Sequence, residues 1–485
     1  MAGLWEELRI IVSLTLPYML QMYVMQFVNR ITLAFVGRYD PAPMNIAAAS
    51  LGTMWSGVTG LSIGVGMNLV LGVYCSQNFG RGKATENGVV VRHALRVLAS
   101  CSAFSVAMAG ASAPLLGALG QPEPLLEPVR KFSLVNALSL PALWATSVFS
   151  TALASQHCQT PGMLAQVVNS GCSFCLAWAL LAGGVGYLGI AIANALSAWL
   201  GLLCVVADIL IRKRQSTVWA VPARTTQASG ISLWDYTRSA LPSAFCMWAE
   251  WWAAEILALL AGLLPGAGVS VAANGILFNT LAIFYMTFVA ISRASSLRVG
   301  NLIGAKDPKG ISAAVTVATA FTMALSGAVA LLLWSFSADM LRLYTQNRAI
   351  LREAAGANLG MVLSIPPYSI MMCMLGVLRC GGQQGFGALA LLVSFYLVGI
   401  PTGAYLGLSA GFGLLGIWAG NVIALTLSAL AATARVVGID WGAVVERSDP
   451  TGDAESAALT PLPAVPAALS RSISESLSPC GPTSI

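Results

Sequence analysis

Residues 241–265 read LPSAFCMWAEWWAAEILALLAGLLP. An apolar run of this length matches the ~20 residues a helix needs to cross a hydrocarbon core. Its two acids, Glu250 and Glu255, break the pattern. A charged carboxyl in mid-membrane is costly unless it pairs, takes a proton or faces water. Acids kept in such a place are candidates for loading and releasing a proton or a cation. Five residues turn a helix by ~500°, which leaves the two side chains about 140° apart. They do not form one chelating face. The expectation is that one points into its own helix bundle and the other toward a gap between bundles. Trp251 stands one turn before Glu255, placed to stack beside a cation held there. Trp248 and Trp252 widen the aromatic surface.

The rest of the chain repeats this theme. Of 485 residues, 57% are apolar and 9% charged, with a mean hydropathy of +0.77. A soluble domain is about a quarter charged. This composition excludes a large water-soluble enzyme, a disordered protein and a secreted disulfide scaffold. An all-α membrane protein with twelve spans is predicted, at roughly 10–37, 46–75, 88–118, 130–154, 160–183, 187–211, 235–262, 266–292, 311–336, 350–378, 384–408 and 413–436. Residues 1–9 read as a short amphipathic lead, without the basic start of a signal peptide. Residues 438–485 turn to Ser, Pro, Ala and Asp and read as a disordered tail. The formal charge of +6 sits in loop lysines and arginines and gives no reason to invoke nucleic acid. The ten cysteines lie mostly in apolar runs and read as small apolar fillers.

Lysine and arginine counts set an orientation. With the first span entering from the cytoplasm, fifteen basic residues fall on inner segments and six on outer ones. The inner set includes Arg81, Lys83, Arg212, Lys213, Arg214, Arg293, Arg298, Lys306 and Arg379. The positive-inside rule then places both termini in the cytoplasm.

The chain also resembles itself at an offset of about 225 residues. Pro17 of LTLPYML falls on Pro242 of SALPSAF, and LSLP at 138–141 falls on LSIP at 363–366. One residue off that register, Gly80 of SQNFGRGK meets Gly304 of GNLIGAKDPK. Each half holds six spans, so both halves start in the same orientation. Two such bundles, related by an axis along the membrane normal, make a rocking transporter architecture. The predicted divisions are a lead at 1–9, a first bundle at 10–215, a cytoplasmic connector at 216–233, a second bundle at 234–437 and the tail at 438–485.

Other polar residues in spans are Gln21 in the first, and Asn279 and Tyr285 in the eighth. No phosphate-binding GxxxxGK[ST] loop, GxSxG elbow or HExxH zinc motif is present, so neither an enzyme nor a metal site is expected. Nor do the charges form the repeated rings of a channel.

Several strings together carry a resemblance. They are AEWWAAEILALLAGLLP at 249–265, FNTLAIFYM at 278–286, SSLRVGNLIGAKDP at 295–308, GVLRCGGQQGFGALALLVSFYLVGIPTG at 376–403 and CSQNFGRGK at 75–83. They resemble the eukaryotic branch of the multidrug and toxic compound extrusion (MATE) family, over about residues 10–437. The resemblance implies two six-helix lobes in a V. It implies efflux of organic cations or neutral aromatic compounds in exchange for protons, or for sodium in some branches. Glu250 and Glu255 would serve coupling and substrate binding, and Gln21, Trp251, Asn279, Tyr285 and Tyr368 would line the cavity. Many eukaryotic members carry an acid where this chain has Tyr368, eleven residues before Arg379. One carboxylate of the usual set is therefore replaced. Small organic substrates and the bilayer are the expected partners, with a monomer sufficient for transport. The membrane would be the plasma membrane or a vacuole-like internal one. The alternatives are a lipid-precursor flippase of the wider superfamily, or a non-transporting sensor or scaffold built on a transporter body.

Overall fold

The computed structural model describes residues 2–40, 42–118, 121–219 and 231–447. Helices joined by turns make up the described residues, with no strand among them. Among the described residues, twelve spans are long and apolar enough to cross a membrane. In order they are Gly3–Val28, Met44–Gly80, Ala84–Gly110, Glu123–Ala154, Thr160–Ala182, Leu188–Ile211, Leu233–Ala261, Ala267–Gly304, Pro308–Ser335, Arg348–Cys380, Gln384–Ser409 and Gly413–Val437.

Local chemistry explains where several begin. The seventh starts at a capping box: the Asp235 amide donates to Ser232 Oγ (3.1 Å), and the Ser232 amide donates back to Asp235 Oδ2 (3.2 Å). Asp307 caps the ninth by accepting from the Gly310 amide (2.9 Å), with Pro308 supplying a first residue that needs no donor. Asn347 caps the tenth through the Ala349 amide (2.9 Å). Pro17 and Pro242 both sit inside helices. The other repeat-matched pair differs. Pro141 follows a break between Ala137 and Leu140, whereas Pro366 and Pro367 lie within an unbroken tenth helix.

Three expectations are corrected. The eighth helix does not stop at 292 but runs to Gly304, so Arg293 and Arg298 stand on a helix instead of in a loop. Its last turns stay helical because Ser295, Ser296, Val299, Gly300 and Ile303 are all buried by packing. The lead at 1–9 is no separate segment, since the first helix spans Ala2–Tyr39. The tail begins with a short helix, Trp441–Arg447, whose Val445 joins the core of the second half. Residues 448–485, and 220–230 of the connector, lie outside the described residues.

The halves meet along one seam, where the end of the second span runs antiparallel to the start of the seventh. The Tyr236 hydroxyl donates to the Met67 carbonyl (3.2 Å), and the Tyr74 and Ser239 hydroxyls meet at 3.1 Å. Tyr236, Ala240 and Ala244 of the seventh span are buried in the apolar core of the first half. Conversely, Ile11 and Val73 are buried in that of the second. Farther along, Tyr23 of the first span meets Thr287 of the eighth (2.8 Å), and Gln77 Nε2 donates to the Cys380 carbonyl (3.5 Å). At the basic end, Arg298 pairs with Glu7 (Nε to Oε2, 2.9 Å), and His157 meets Asn301 (3.1 Å). Two glycines make this closure. Gly80 lies against the Asn301 carbonyl and Gly304 against the Gln77 carbonyl, so a side chain at either would strike backbone. These are the positions that the repeat aligns.

Toward the other end the halves part. The stretch Pro43–Ser56 packs on elements of its own half. Beyond Tyr23, the first helix turns to the fifth span, through Phe35 on Phe174 (ring centroids 5.3 Å apart) and Trp178 donating to the Tyr39 hydroxyl (3.1 Å). The result is a V sealed at the end that carries the basic residues.

Gly304→Val should overpack the seam at a cost of ~1–3 kcal/mol, lowering the unfolding temperature of the purified protein by several degrees. Gly327→Val, on the ninth span with nothing within 4 Å of an added Cβ, should leave it nearly unchanged. Equal shifts in the two variants would show that the glycine seam does not hold the halves together.

Candidate functional site

Glu250 lies where the halves begin to diverge. Six residues before it, Ala244 packs against Gly66 of the second span; one residue after it, Trp251 reaches Gly57, whose added Cβ would lie 3.7 Å from the indole. Gly57 opens a widened turn of the second span, Gly57–Leu61. Such bulges occur often at functional positions because they re-aim side chains.

The Glu250 side chain points into the second half. The Tyr368 hydroxyl is its hydrogen-bond partner. Tyr368 is 4% exposed and stacks face to face on Tyr285, with ring centroids 3.5 Å apart and planes 5° apart. The Tyr285 hydroxyl meets Ser364 Oγ at 3.1 Å. The backbone beside Glu250 is held as well, by the Tyr396 hydroxyl donating to the Ala249 carbonyl (2.9 Å). Tyr396 sits in a widened segment of the eleventh span, Val393–Gly399. The seventh, eighth, tenth and eleventh spans thus converge on one carboxyl.

Pro366 and Pro367 explain the placement of Tyr368. Neither has an amide hydrogen, so the helical ladder opens one turn before Tyr368. Beside the prolines, Ser364 and Ser369 donate to the Met361 (2.6 Å) and Pro366 (2.7 Å) carbonyls.

Glu255 is half-buried and makes no hydrogen bond or ion pair among the described residues. It shares a helix face with Trp251, one turn away, and that face looks across to Gly57 of the other half. Phe245, Trp248 and Trp252 form an aromatic ladder beside it, with successive centroids 5.9 and 5.8 Å apart. No carboxylate–guanidinium pair involves Glu250 either, among the described residues; Arg379 acts on it only through its field. Both acids therefore stand unlocked.

Not every candidate joins them. Gln21 is half-buried in a separate cleft of the first half, lined by Pro17, Tyr18, Ser150, Gln159 and Gly162. The structure does not bring it together with the acids, because the first, fourth and fifth spans pack around it. Asn279 is exposed on the eighth helix, about 120° around from Tyr285 and so off the Tyr285–Tyr368 stack. Its face lies within about 80° of Thr287, the residue that meets Tyr23 of the first half. Sequence reasoning missed the stack and the Tyr396 anchor. The tandem prolines before Tyr368 were the one available signal. Among the described residues no group of His, Cys, Asp and Glu is placed to hold a metal ion.

Comparison with known proteins agrees with this architecture. The MatE family profile matches the chain twice, over residues 17–179 and 242–405, with starts 225 residues apart. Protein DETOXIFICATION 16 of Arabidopsis thaliana is 28% identical over 421 residues, covering 85% of this chain and 84% of that protein. Multidrug and toxin extrusion protein 1 of Homo sapiens is 26% identical over 450 residues, covering 90% of this chain and 75% of that one. Among solved structures, the eukaryotic MATE transporter AtDTX14 shares the fold with a TM-score of 0.83, at 22% identity over 92% of this chain and 99% of that one. An outward-facing multidrug-resistance MATE transporter gives 0.80, at 19% identity over 91% of this chain and 97% of that one.

Tyr368→Phe should keep the ring stack and lose only the hydrogen bond, at a cost of ~1 kcal/mol. Tyr368→Ala should cost ~3–5 kcal/mol by emptying the stack. Thermal unfolding of the purified variants separates them, and equal losses would mean that the hydroxyl, not the ring, carries the site.

Proposed function

The chain belongs to the multidrug and toxic compound extrusion (MATE) family of multi-pass membrane transporters, and from that footing we propose that it is a proton-coupled efflux antiporter for organic cations or uncharged aromatic compounds. The observation that carries this reading is Glu250, a mid-span carboxyl bound by a neutral hydroxyl and locked to no cation. A carboxyl so held has two neutral ways to exist in a dry environment. It takes a proton, or it receives a cation. When one acid serves both, occupancy is mutually exclusive, and that suffices for antiport. Glu255, on the face that looks toward the other half, draws the cation into the site on its way to Glu250 in this scheme. Trp248, Trp251 and Trp252 supply ring faces for it.

Tyr368 takes over part of what a second carboxylate does in relatives. Its hydroxyl donates to Glu250 when the acid is charged and accepts from it when protonated. One acid fewer in the second half implies a lower proton count per cycle. The basic end, by the positive-inside rule, faces the cytoplasm, so the V opens away from it. Cycling then requires the glycine seam to open and the parted ends to close. A substrate drives that exchange only by the difference in its affinity for the two states.

In vesicles with an imposed pH gradient and sodium held constant, Glu250→Gln should cut proton-driven efflux of a fluorescent organic cation by at least tenfold. Glu255→Gln should mainly raise the KM for cations and spare uncharged substrates. Wild-type efflux in both folded variants would end the assignment. Loss of efflux on removing sodium, at fixed pH gradient, would replace the proton with sodium.

A further inference from the structure

Lower on the seam, toward the basic end, the two halves form a small, partly open cavity lined by Tyr18, Asn68, Thr151, Arg293, Ser296 and Arg379. The first, second and fourth spans contribute one wall, and the eighth and tenth the other. Both arginines are on helices within the transport body. Neither forms an ion pair among the described residues. The Arg293 guanidinium lies 5.6 Å from the centre of the Tyr18 ring. Arg379 spends one nitrogen, Nη2, on Ser292 Oγ (3.1 Å), while its Nε is buried without a partner. Ser292 in turn donates to the Met372 carbonyl (2.6 Å), so it offers Arg379 an oxygen but no charge.

Two guanidinium charges lining one cavity repel, and low dielectric strengthens that repulsion. A buried charge without a counter-charge is costly. Glu250, the acid whose field reaches Arg379, is bound by Tyr368 and pairs with neither arginine. The other polar groups of the cavity are mainly donors. Asn68, 2% exposed, gives its amide hydrogens to Ser147 (2.6 Å) and Thr151 (3.4 Å). Thr151 therefore accepts from Asn68 and keeps its own proton to donate. The Tyr18 hydroxyl donates to nothing among the described residues. Against these donors stands the Asn68 carbonyl oxygen, which is buried and has no partner among the described residues.

We propose that this cavity binds a small monovalent anion between Arg293 and Arg379, with the Tyr18 and Thr151 hydroxyls completing its shell. A halide and a compact carboxylate satisfy the same donors. Charge-assisted bonds to both arginines replace a repulsion with two attractions. Because the walls belong to opposite halves, the bound anion is a tie across the seam and favours the closure of the basic end.

The test uses the purified full-length protein at constant ionic strength, with gluconate exchanged for chloride. Chloride should raise the unfolding temperature along a saturating curve, and labelled chloride should bind at about one per chain. Arg293→Gln and Arg379→Gln should each weaken binding at least tenfold, and Arg293→Lys, which keeps the charge, should retain most of it. Displacement of labelled chloride by acetate would assign a carboxylate ligand as well; failure of acetate to displace it would assign a halide, and both outcomes support the site. Absence of saturable binding of either anion to the wild-type protein would overturn it, leaving a cavity filled by water. That wild-type measurement decides the matter even if an arginine variant fails to fold.

Discussion

The hydrocarbon core of a membrane offers no water to a carboxylate. Every feature around Glu250 answers that constraint. One hydroxyl binds the acid, and a stacked ring braces that hydroxyl. A third tyrosine holds the backbone one residue away. Two prolines make room by removing amide hydrogens from the tenth helix. None of these partners carries a formal charge. A fixed cation would satisfy the acid more strongly and would also hold it in one state. A neutral hydroxyl satisfies it and leaves its charge free to change.

The proposed transport cycle adds a second constraint, that the halves separate and rejoin. A seam of large interlocking side chains would resist parting. Here backbone lies directly on backbone, at Gly80 and Gly304. Small residues let helices approach closely in lipid without deep interdigitation. Polar pairs such as Glu7 with Arg298 and His157 with Asn301 gather at the same end. The acid lies just beyond this contact, where the opening of the V begins. In the proposed cycle a ligand there touches both the boundary that moves and the group that titrates.

Much of this was legible in the sequence because membrane insertion imposes local rules. Span number and the unusual position of two acids follow from runs of side chains and need no knowledge of packing. The 225-residue offset reappears in the two profile matches and in the facing glycines. The misreadings arose where packing overrides local pattern. The eighth helix continues past 292 because its small buried residues seat against neighbours, which no hydropathy window records. Arg293, counted as a loop residue, therefore entered the body of the protein. Gln21 shares polarity with the cavity candidates but is drawn into the first half by the fourth and fifth spans.

Sequence alone determined that this chain is a twelve-span, twice-repeated helical body carrying two acids in its seventh span. Those properties reside in hydrophobic length and in spacing along one chain, which the solvent reads locally. Tertiary structure alone decided that Tyr368 meets Glu250, that Glu255 stays without a partner among the described residues, and that two arginines share one cavity. Each of these joins residues tens to hundreds of positions apart. Helical periodicity assigns a side chain to a face, but only the packing of one helix on another decides what that face meets.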